Sequence, residues 1–91
     1  MSKFVYQRAI QLLEADLGDE LMALDAEAGN CFGFNSVATG VWRHLMVPKS
    51  FDELEEALLA QYDVDRGQCR SELRELLDDL VEKGLVREIA G

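Results

Sequence analysis

Few side chains in this sequence could do covalent or metal chemistry. His44 is the single histidine, and Cys31 and Cys69 are the two thiols. A catalytic centre needs a nucleophile beside a base, a pair of carboxylates at a defined separation, or a set of metal ligands. Neither cysteine belongs to a CxxC pair, and with only His44 as a nitrogen donor the spacing fits no zinc pattern. His44 falls near the end of a helical segment, where a cation complements the helix dipole. No Lys, Arg or His adjoins Cys31 to lower its pKa, so it reads as a small, half-buried strand residue. No catalytic residue, metal ligand or cofactor is expected, and the chain reads as a protein that binds.

Its charge narrows the partners. Eighteen acidic against nine basic residues give a formal charge of −9 and a pI near 4.4. A field of that sign repels phosphate backbones, whose contacts supply most non-specific nucleic-acid affinity, so nucleic acid is not an expected partner. No apolar run approaches the roughly 20 residues of a membrane span, and the opening Met1 to Arg8 lacks the apolar core of a signal peptide. A cytoplasmic protein with no membrane partner and both thiols reduced is expected. At 91 residues the chain has room for one modest core, and a single domain is expected over 1–91.

The first third reads as β structure. Ile10, Leu12, Leu13, Ala15 and Leu17 give broken alternation, Gly18-Asp19 punctuates, and residues 20–25 form a second run. Gly29-Asn30 supplies turn chemistry before a third strand from Cys31 to Phe34, with Phe32 and Phe34 on one face. A small antiparallel meander follows. Asn35 suits an N-cap for a helix from Ser36 to Leu45, carrying Val37, Val41, Trp42 and Leu45 at helical spacing. Pro48 forbids its continuation, and Ser50 with Glu53 forms a capping box for a second helix whose inward stripe is Phe51, Leu54, Leu58 and Tyr62. Asp65 with Gln68 repeats that pattern and opens a third helix, which Gly84 ends. The tail from Leu85 to Ile89 is read as a short strand or an extended cover.

On a wheel of 100° per residue the third helix centres its apolar stripe between Leu73 and Leu80. Arg66, Arg70 and Arg74 line one shoulder, while Glu72, Glu75, Asp78, Asp79 and Glu82 occupy the back and the other flank. Two roles fit the arginine row: offsetting nearby carboxylates such as Asp78, or bordering a groove that meets the carboxylates of an extended partner. The third strand offers the other wall of such a groove. It is short, uncharged and free of proline, so nothing in it blocks pairing with a further strand. A peptide there gains about three to five backbone hydrogen bonds of roughly 0.5–1.5 kcal/mol each. That falls short of the roughly 8 kcal/mol of micromolar binding, so side-chain contacts must add to it. Phe32, Phe34 and Trp42 are read as core filling.

These blocks have a family likeness. Gly29-x-x-Phe32-x-Phe34-Asn35-x-x-Ala38-x-x-Val41-Trp42, an acidic helix, Tyr62-Asp63-Val64-Asp65 and the closing Leu80-Val81-Glu82-x-Gly84-Leu85-Val86 resemble the PqqD-like family of RiPP recognition elements, from about residue 10 to about residue 88. The resemblance implies an α+β, winged helix-turn-helix-like fold: a three-stranded antiparallel sheet and three helices, without enzymatic activity. It implies that the partners are the leader segment of a precursor peptide, bound as an added strand, and a modifying enzyme that receives the core segment. Carried over by position, the strand wall falls on Asn30, Cys31, Phe32, Gly33 and Phe34, and the helix wall includes Cys69, Arg70, Leu73, Arg74 and Leu77. Phe34 departs from the leucine that members commonly show before the asparagine.

Free-standing members act in pyrroloquinoline quinone biosynthesis, in lasso-peptide maturation beside a leader peptidase and a cyclase, and beside radical enzymes. Val41-Trp42 and the strand from Asn30 to Phe34 look more like the lasso-type members. A PqqD-type peptide chaperone in quinone-cofactor synthesis is the alternative within the family. A small winged-helix transcriptional regulator is the alternative of another class, but it needs a basic recognition helix, and the third helix carries five carboxylates between Glu72 and Glu82.

Overall fold

Local signals place the helices where they fall in the computed structural model, which describes residues 4–90; residues 1–3 and 91, the ends of the expected domain, lie outside the described residues. In chain order the elements are β1 (Phe4–Arg8), β2 (Leu13–Asp16), β3 (Leu21–Asp25), β4 (Asn30–Phe34), α1 (Ser36–His44), β5 (Lys49–Ser50), α2 (Phe51–Gln61), α3 (Arg66–Glu82) and β6 (Val86–Ala90). Asn35 accepts from the Ala38 amide, and Ser50 and Glu53 close a reciprocal capping box. Only half of the expected box forms at α3: Asp65 accepts from the Gln68 amide, while the Gln68 side chain turns forward to Glu72 at 3.4 Å. Gly84, at φ 77°, takes the left-handed position after the Lys83 cap.

The expected meander is the sheet β2-β3-β4, all antiparallel. Its first strand is shorter than the alternation suggested, because Ile10 and Leu12 lie in the β1–β2 connection, partly buried against the core. A second three-stranded sheet, β5-β1-β6, is an addition to the expected fold. The chain's tail enters it: β6 runs antiparallel to β1 from Phe4 opposite Ala90 to Arg8 opposite Val86.

Between the sheets and helices lies one core. Trp42, Val41, Leu73 and Leu77 have no exposed surface, and Tyr6, Leu21, Ala23, Phe34, Leu45, Leu54, Leu58, Leu80 and Leu85 surround them. Burying each large aliphatic side chain stabilises by about 1.5–3 kcal/mol. The inner face of β2-β3-β4 contributes Leu21, Ala23 and Phe34, and α3 contributes Cys69, Leu73, Leu77 and Leu80, the stripe its periodicity predicts.

Candidate functional site

The site begins at the turn before β4. The Asp25 carboxylate accepts from the amides of Glu27 and Ala28, and the Gly29 amide donates to the Asp25 carbonyl at 2.8 Å. That fixes where β4 starts and its register on β3, from Asp25 opposite Asn30 to Leu21 opposite Phe34. With β3 on one side and no strand on the other among the described residues, β4 is a sheet edge. Its remaining backbone amides and carbonyls point away from the sheet, the arrangement that accepts a further strand.

Two faces meet at this edge. On the inner side Phe34 is buried with its ring centroid 5.6 Å from that of Trp42, and Phe32 is partly buried. On the outer side Cys31 and Gly33 are exposed, so Cys31 is more open than the half-buried thiol the sequence suggests. The other thiol, Cys69, is 4 % exposed, and burial pushes its pKa up, which keeps it protonated and inert.

Trp42 ties this sheet to the rest of the molecule. Its indole N–H donates to Glu14 of β2 at 2.9 Å, and its carbonyl accepts from Arg8 of β1 at 2.6 and 3.1 Å. The Arg8 guanidinium lies 4.2 Å from the indole centroid and 3.5 Å from Glu14. Burial lowers the Arg8 pKa, partly countered by Glu14. His44 and Arg43 stand in the last turn of α1, and Arg43 pairs with Asp16 at 3.0 Å.

Along α3 the arginine row forms as a row, with partners inside the chain. Arg66 and Arg70 both reach Glu55 at 3.1 Å, Arg66 also reaches Glu56 at 3.2 Å, and Arg74 donates to the Tyr6 hydroxyl at 2.7 Å. Arg70 and Arg74 lie over the Phe51 ring, 5.2 and 4.5 Å from its centroid. The carboxylate the row offsets is thus Glu55 on α2, rather than Asp78 on its own helix. Glu55 is 3 % exposed and went unnoticed in the sequence, although its place between Leu54 and Leu58 beside the inward stripe is a signal that a carboxylate there must find a cation. Cys69, Leu73 and Leu77, the apolar members of the expected helix wall, are buried beneath this row.

Two depressions border the sheet β2-β3-β4, one on its outer side and one at the end formed by the β1–β2 connection and the turn after β3. A depression of about 220 Å³ is bordered by Leu13, Ala15, Met22, Leu24 and Cys31, among others. A wider opening of about 890 Å³ continues from Leu13, Glu14 and Leu24 to Ile10, Leu12 and Met46. Among the described residues no group of three or more His, Cys, Asp or Glu could hold a metal ion, and no helix is long and apolar enough to cross a membrane.

No curated protein matches the chain. A solved structure, TbiB1 in complex with the TbiA(beta) leader peptide, is similar at a TM-score of 0.78 and 30% identity, covering 89% of this chain and 94% of that one. A family model described as coenzyme PQQ synthesis protein D matches residues 20–86, the span from β3 through α3 to the start of β6, and the chain therefore belongs to the PqqD family.

Proposed function

We propose that this protein is a non-catalytic recognition module that takes the leader segment of a ribosomally made precursor peptide as a fourth strand on β4 and presents the peptide to a modifying enzyme. The observation that carries this reading is the free margin of β4, with the chain's own tail engaged on β1 instead. The leader peptide held by the similar TbiB1 structure supports it. The strand wall is Asn30 to Phe34. On the helix side Cys69, Leu73 and Leu77 support the wall from inside the core, while Arg66, Arg70 and Arg74 fasten α3 to α2 and β1 and leave recognition to the strand. A lasso-peptide leader peptidase is the favoured recipient, and the family's description as a coenzyme PQQ synthesis protein favours the peptide-chaperone role as the second reading. Five carboxylates on α3 oppose the winged-helix regulator.

Cys31 offers a direct test, because opposed Cα atoms on paired antiparallel strands lie about 4.5–5.5 Å apart, within the span of a disulfide. The probe is a peptide recovered from a displayed random library by binding to this protein, resynthesised with a cysteine at each position in turn. Strand addition predicts mixed disulfides with Cys31 concentrated at one position and its neighbours two residues away, and none with Cys69. Uniform or absent cross-linking, with no heat of binding by calorimetry, rules it out.

A further inference from the structure

The outer face of β2-β3-β4 carries two cross-strand rows, Leu13–Leu24–Cys31 and Ala15–Met22–Gly33. All six residues are uncharged and exposed, although the inner face of the same sheet already buries Leu21, Ala23 and Phe34. An antiparallel sheet with one face in water ordinarily alternates apolar with polar residues, so an uncharged outer face over an inner face already buried at β3 and β4 is built to be covered as well. From β3 to β4 side-chain size falls, from leucine to cysteine in one row and from methionine to glycine in the other. Gly33 is not among the glycines with positive φ, so its backbone does not demand glycine. A Cβ there would stand 3.6 Å from the Met22 sulfur, in ordinary contact, so what the glycine preserves is open space beside Met22.

We infer that this face is a second reading surface for the bound peptide: the residue that faces Gly33 from an added strand is selected as a large apolar side chain, which lies across the glycine against Met22. The inference rests on strand addition at β4. An added strand continues both rows by one column, since its alternate side chains point to the outer face. A charged side chain in that column would lose water beside a thioether and two leucines with nothing to pair with. A second copy of the chain is a poorer cover, because each copy carries −9.

The test uses a displayed library of short random peptides, panned on the intact protein and on its Gly33→Val variant. Recovered peptides are synthesised with single cysteines and cross-linked to Cys31, which sets their register; the residue facing Gly33 is then two positions from the one facing Cys31. The expected result is Leu, Ile, Met, Phe, Tyr or Trp at that position, about tenfold or greater loss of affinity when it is changed to Asp, and loss of the preference in Gly33→Val. If circular dichroism shows that Gly33→Val does not fold, Met22→Ser takes its place with the same expectation. Peptides that cross-link in register but show no preference there, or keep it in the variant, overturn the inference and leave strand addition standing. Absence of any in-register cross-link removes strand addition and the inference together. Sedimentation showing self-association abolished by Met22→Ser assigns the face to a second copy and also overturns it.

Discussion

The two sheets of this small protein are finished differently. β5-β1-β6 is assembled from the two ends of the described chain plus two residues before α2, and its central strand is pinned to α3 by the Tyr6–Arg74 hydrogen bond. β2-β3-β4 is continuous in sequence, ends in the uncharged strand β4 and has an outer face without a charged side chain in its two cross-strand rows. Both sheets have outer strands with no further partner among the described residues, but β2, β5 and β6 carry charged side chains and β4 carries none, so the first sheet is closed to pairing and the second is open at β4. On the proposed strand addition the margin offers only backbone groups, while the inward side chain of the same strand, Phe34, stays in the core, so the domain need not unfold to bind.

The largest expected effect comes from breaking the link between the sheets. Trp42→Ala removes a side chain with no exposed surface together with its bond to Glu14, and should cost about 3–5 kcal/mol, a large share of the 5–15 kcal/mol typical of a domain. Urea unfolding followed by circular dichroism should still show a single transition, at a much lower midpoint. Two separate transitions would mean that the open sheet folds independently of the closed one, and the division would be between modules rather than within one.

A smaller change asks to which half the arginine row belongs. Glu55→Gln weakens the contacts to Arg66 and Arg70, and because both arginines are about half exposed the expected loss is about 1–2 kcal/mol. Affinity for a peptide that cross-links to Cys31 should stay unchanged in calorimetry. A fall in affinity with little loss of stability would move the arginines into the binding site.

The smallest effect is a pH dependence confined to the closed sheet. Burial raises the Tyr6 phenol above its ordinary 10.0, with a hydrogen bond to Glu88 in the same direction and Arg74 opposing. A raised folded-state value favours the neutral phenol. Its contribution is therefore fully present below pH 10.0 and is lost as pH rises through the folded-state value. Tyr6→Phe should cost about 1 kcal/mol at neutral pH and flatten the alkaline decline in urea midpoints. An alkaline decline identical to that of the parent protein would place the titrating group elsewhere.

What was legible in the sequence followed from the range of each interaction. Caps at Asn35, Ser50 and Asp65 and the stripe of α3 depend on neighbours within a few residues, and all three helices lie where those signals put them. The meander is equally local, since its strands are joined by short turns. β1 carries no such local signal, because its partners are distant: Val5 faces Ile89 on one side and Ser50 on the other, pairings that no window of sequence contains. The arginine row was visible on the wheel, but its main partner, Glu55, sits on another helix, so the direction of the row was not. The free margin at β4 was readable from the absence of charge and proline, whereas the outer face was not, because its apolar character emerges only when Leu13, Met22, Leu24 and Cys31 are aligned across three strands.

Strand β4 passes into α1 through a single residue, Asn35, and its last side chain rests on the only tryptophan in the chain. Any tightening of that strand is therefore felt at once by the indole, whose ring nitrogen, carbonyl and face are each held by another element. If the proposed strand adds at that margin, intrinsic emission is the expected optical gauge of occupancy, with no dye attached and no residue altered.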